Sequence, residues 1–95
     1  MLFLFNYKVL MEQTDELKAS LKREYSLCAN AMAFYRRAIQ GFEQKHGMTT
    51  QGFLKKFASG KLGDDADFFD WYAFANLLAR ARKTTSAIRS AWQDP

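Results

Sequence analysis

The densest group of side chains able to do chemistry is acidic: Asp64, Asp65, Asp67 and Asp70 crowd one short stretch. Carboxylates set this close could ligate a divalent cation, because hard cations take oxygen donors. A calcium loop, however, alternates its ligands and needs a Gly at the sixth position and a Glu at the twelfth, and neither follows here. The stretch runs instead into a helical pattern, where Asp side chains cap the first turn and complement the macrodipole. The remaining candidates stand alone. The single His46 has only Lys45 and Glu43 as ionisable sequence neighbours, whereas a general base needs a positioned proton partner and a pocket. It reads as a cation near a helix C-terminus. The single Cys28 lies on an apolar stripe with no base beside it, as a small buried hydrophobe does. No Gly-rich phosphate loop, HExxH or GxSxG occurs. The expectation is a protein without catalytic residues, metal or cofactor.

The elements that hold these residues follow from spacing. From Thr14, a candidate N-cap followed by Asp15 and Glu16, apolar residues recur at Leu21, Tyr25, Cys28, Met32, Tyr35, Ile39 and Phe42. These steps of four and three make a heptad stripe, which Leu17 extends. Lys45, His46 and then Gly47 form a stop signal, so the spacing predicts a helix over 14–46. Thr49 or Thr50 can cap a short second helix with Phe53, Leu54 and Phe57 on its apolar face, ending at Gly60. A third helix over 65–93 carries the stripe Trp71, Phe74, Leu78, Ala81, Thr85, Ile88 and Trp92. Two long helices joined by a short one should fold back on each other. The predicted fold is all-α: an antiparallel helical hairpin, assembling into a dimeric bundle.

Residues 1–13 form an apolar extension ahead of the single domain 14–95. Their run MLFLFNYKVLM is too short to span a bilayer and has no basic region or cleavage site of a secretory signal. It reads as a short strand, as a helical extension, or as sequence ahead of a start at Met11. The chain is expected in the cytoplasm.

With 14 Lys+Arg against 10 Asp+Glu, the net charge is +4. This raises nucleic acid as a partner, with Arg80, Arg82, Lys83 and Arg89 as candidate contacts and the first three the tightest group. A phosphate-binding stripe should occupy one face, and these residues point in several directions. Nucleic-acid binding is therefore the second reading. Aromatics are 16% of the chain, and the apolar arc of the third helix covers about 160° of its wheel, more than one partner helix hides. The excess points to a homodimer or a complex with a small protein, anchored by Phe68, Phe69, Trp71 and Tyr72, since aromatics are enriched at interface hot spots.

A longer pattern runs from Phe34 to Leu78. Phe42, Glu43, Lys45, Gly47 and Met48 close the long helix. Phe53, Phe57, Ser59 and Gly60 follow, then Leu62, Gly63, Asp64 and Asp65, then Phe68, Phe69 and Trp71. It resembles a family of small, uncharacterised helical prokaryotic proteins that look like the antitoxins of toxin–antitoxin pairs. Two places depart from the family pattern. His46 stands where Tyr is usual, and Thr50-Gln51-Gly52 replaces an acidic helix start, losing the capping-box carboxylate. The resemblance implies a non-enzymatic protein that masks a small partner through an apolar helix face, with no catalytic residues to carry over.

Overall fold

The computed structural model describes residues 2–93, with side chains over 14–91. Three helices follow in order: α1 (Leu2–His46), α2 (Thr50–Ala58) and α3 (Ala66–Gln93). The long pair α1 and α3 pack against each other, and α2 lies over the turn between them. Phe53, Leu54 and Phe57 of α2 join their core.

The N-terminal boundary of α1 differs from expectation. The helix does not begin at Thr14 but runs through it from Leu2. No Gly or Pro occurs before Gly41, so nothing in the backbone breaks the helix where the capping signal sits. The backbone of residues 2–13 is thus helical rather than a strand. The side chains of 1–13 and of Trp92 lie outside the described residues.

The other boundaries follow their local signals. α1 stops at Gly47, whose φ of +63° is the left-handed conformation that glycine adopts without penalty. Thr49 caps α2 by accepting the Gly52 N–H at 3.1 Å. The first helical N–H, that of Thr50, is satisfied by Glu43 of α1, whose Oε2 accepts it at 2.9 Å. A carboxylate from the preceding helix thereby meets an N–H at a helix start that lacks a capping-box acid. Ser59 and Gly60, at φ +70°, end α2. α3 begins at Ala66, one residue later than expected, because Asp65 is the cap: its carboxylate accepts the Asp67 N–H at 2.9 Å.

The two stripes meet as the heptad spacing predicts. Ile39, Phe53, Trp71 and Leu78 form the buried core, and Met32, Tyr35, Phe42, Phe68 and Phe74 pack round it. Ile88 is buried further along α3. The antiparallel register is visible in ties at three levels: His46 to Asp67, Phe42 to Trp71, and Tyr25 to Arg89. α1 has 45 residues and α3 has 28, so about 25 Å of α1 extends past the end of α3. Leu17 falls in that projecting part. It continues the stripe and is nonetheless 59% exposed, since α3 does not reach it. The molecule measures 68 × 22 × 21 Å.

Phe53 and Trp71 are fully enclosed. Truncating Phe53 to Ala should destabilise the fold by about 3–5 kcal/mol, as large-to-small changes in sealed cores do. Phe69→Ala, at an exposed position of the same helical hairpin, should cost under about 1 kcal/mol. Chemical denaturation followed by far-UV circular dichroism checks both values.

Candidate functional site

Packing α1 against α3 in antiparallel fashion brings the basic end of one to the acidic start of the other. Asp67 Oδ2 lies 2.6 Å from Lys45 Nζ and 2.9 Å from His46 Nε2. The His46 ring also stacks over Trp71 at 5.9 Å and packs on Phe68 at 5.0 Å. His46 is therefore a tertiary tie and not only a residue at a helix end. The sequence neighbourhood of His46 did not reveal this, since its partner lies 21 residues away. The signal was the pair of complementary helix ends joined by a hairpin.

Among the described residues, His46, Asp65 and Asp67 place one ligand atom each within 4.8 Å of one another. Each of these atoms already has work. Asp65 caps α3, and Asp67 holds Lys45 and His46. The trio is thus tied into the capping and pairing of the two helix ends. Asp64 and Asp70 are exposed and stand outside it.

Beneath this cluster a hydrogen-bonded relay crosses all three helices. The Trp71 indole Nε1–H donates to Thr50 Oγ1 at 3.1 Å, and the Thr50 hydroxyl donates to Glu43 Oε2 at 2.9 Å. The Trp71 ring stacks on Phe53 with centroids 4.0 Å apart and planes 2° from parallel.

The four aromatic residues expected at an interface thus have different surroundings. Trp71 is enclosed within the chain, and Phe68 is half-buried between His46 and Phe53. Phe69 is 59% exposed and Tyr72 is also exposed. Both pack on Phe57 of α2, Tyr72 in a stack at 4.7 Å and Phe69 edge-on at 5.9 Å. The three rings form one apolar patch. A second lies on the flank of the seam away from α2. There Leu27 and Phe34 are exposed one position before the seam residues Cys28 and Tyr35, with Phe34 edge-on to Phe74 at 6.0 Å. Leu77 of α3 adds to it.

The basic group also divides. Arg80, Arg82 and Lys83 are all exposed and spread round the helix, not aligned on one face. Arg89 is engaged, donating to the Tyr25 hydroxyl at 2.8 Å with its guanidinium 5.8 Å from the ring centroid. Cys28 is half-buried on the seam. Among the described residues no helix is long and apolar enough to cross a membrane.

The Lys45–Asp67 tie sets a two-sided pH dependence. Asp67 is held below its ordinary 3.8, first by the hydrogen bond from Lys45 and then by that from His46. Its contribution to stability is present above 3.8 and is lost as pH falls through the lowered folded value. Lys45 is raised above its ordinary 10.5, chiefly by the same hydrogen bond. Its contribution is full below 10.5 and is lost as pH rises through the raised value. Asp67→Asn should therefore lower the melting temperature around neutral pH; the two proteins should converge at the acid limit, and the gap should narrow at the strongly alkaline limit as the Lys45 contribution is lost. Melts across pH check this; a constant gap at every pH would refute it.

No protein-family model, no curated protein and no solved structure matches this chain.

Proposed function

We propose that this chain is a non-enzymatic protein-interaction module that masks a small partner protein through its apolar helix faces, in the manner of an antitoxin. The observation that carries the reading is the patch of Phe69 and Tyr72 around Phe57. Large rings stay exposed there although the fold has a sealed core beside them. Exposed aromatics grouped in this way are characteristic of protein contact sites. The separate patch of Leu27, Phe34 and Leu77 supports a second contact, with another copy of the chain in a dimeric bundle. On this reading the protein works in the prokaryotic cytoplasm. Phe69 and Tyr72 anchor the partner, while Trp71 and Phe68 hold the surface that presents them.

Affinity purification of the tagged chain from its native host tests the proposal. The wild type should retain one small protein in stoichiometric amount, and Phe69→Ser/Tyr72→Ser should retain at least tenfold less while melting cooperatively. Co-expression should relieve any growth arrest that the retained protein causes alone. The dimer predicts a species of twice 11.0 kDa in light scattering, reduced by Leu27→Ser/Phe34→Ser. If the chain elutes as a monomer, retains no protein and instead binds mixed-sequence RNA or DNA with a steep salt dependence lost on changing Arg80, Arg82 and Lys83, the nucleic-acid reading replaces this one.

A further inference from the structure

A groove of about 410 Å³ opens between α1, α2 and α3, lined by residues other than Phe57, Phe69 and Tyr72. Its floor is apolar: Ile39 and Leu78 of the core, Leu54 of α2, and Ala75 and Ala79 one turn apart on α3. One end is closed by Glu43, Thr50 and Gln51, where Glu43 Oε2 already accepts two hydrogen bonds from Thr50.

The other end is charged. Arg36 lies one turn before Ile39 on α1, and Arg82 lies one turn after Leu78 on α3. Because the helices are antiparallel, both steps lead away from α2, and the two guanidiniums arrive at the groove mouth from opposite walls. Among the described residues neither has an ion pair or a hydrogen-bond partner. Two like charges facing one mouth repel, and an anion between them relieves the repulsion. A carboxylate matches the planar fork of each guanidinium, which a hydroxyl does not.

We propose that this groove binds a linear alkyl carboxylate, its head between Arg36 and Arg82 and its chain laid along the Ile39–Leu78–Ala79 floor toward Leu54. The distance from Arg36 to Glu43 along α1 is about 10 Å, the reach of a medium-length alkyl chain. The acid at the closed end repels a second anionic group, so a monocarboxylate is favoured over a dicarboxylate. The groove is independent of the partner-masking reading and stands or falls without it.

Isothermal titration of the full chain with octanoate, octanol and the eight-carbon dicarboxylate tests the assignment. Octanoate should bind saturably, at least about tenfold more tightly than either of the others. Arg36→Gln/Arg82→Gln should weaken octanoate by at least tenfold with an unchanged thermal melt, since both side chains are exposed. Ala79→Leu, which fills the floor, should also weaken it. The proposal is overturned if octanoate shows no saturable binding, if octanol binds equally well, or if the double variant keeps wild-type affinity.

Discussion

The fold depends on one side chain being satisfied at both its faces and its edge. The Trp71 indole lies parallel to Phe53 at 4.0 Å, with Phe42 on the α1 side, and its N–H is taken by Thr50. Phe53 belongs to α2, Phe42 to α1 and Trp71 to α3, so one ring sets the relative positions of all three helices. An enclosed indole with an unmet N–H would be costly. The Thr50 hydroxyl removes that cost, and it is in turn fixed by Glu43. A helix as short as α2 has little stability of its own. It persists because its first residue is tied to α1 and its apolar face is stacked on α3.

The hairpin turn is closed by a second, more exposed layer. Lys45 ends α1 with positive charge beside the His46 ring, Asp65 and Asp67 begin α3 with negative charge, and the antiparallel arrangement sets them side by side. Each group also complements the dipole of its own helix. The same residues therefore serve local capping and tertiary pairing, which explains how acidic and basic residues that look like separate helix signals meet in one cluster. Screening by water limits what such a pair adds to stability. Its main effect is on geometry: it fixes the His46 ring over Trp71 and Phe68 and covers the outer edge of the aromatic core.

Much of this architecture was legible because helical periodicity is a local property. The heptad residues from Leu21 to Phe42 and from Trp71 to Ile88 became the seam, and Gly47 and Gly60 ended their helices. The start of α1 was not legible. Thr14 with Asp15 and Glu16 is a good cap, but a cap signal matters only where the preceding chain departs from helix, and nothing before Thr14 makes it do so. Side-chain roles across helices were harder still. Trp71 and Phe68 looked like Phe69 and Tyr72 in the sequence, as members of one aromatic run. Only the position of α2 distinguishes rings that face the core from rings left outside it. Likewise, the Glu43–Thr50–Trp71 relay joins residues whose separations in sequence carry no periodic signal.

The length of the helices decides where surface remains. α2 has nine residues and can shield only the end of the hairpin nearest the turn. Beside its first turns, which supply Thr50, Gln51 and Leu54, one flank of the α1–α3 seam lies open as the groove that ends at Arg36 and Arg82. On the other flank none of the described residues covers the seam, and Leu27, Phe34 and Leu77 stay exposed. Where α2 does cover α3, it still leaves Phe69 and Tyr72 outside, because Phe57 contacts them from one side only. The three surfaces thus share a cause: a short third element set against two long helices whose apolar arcs are wider than a single seam.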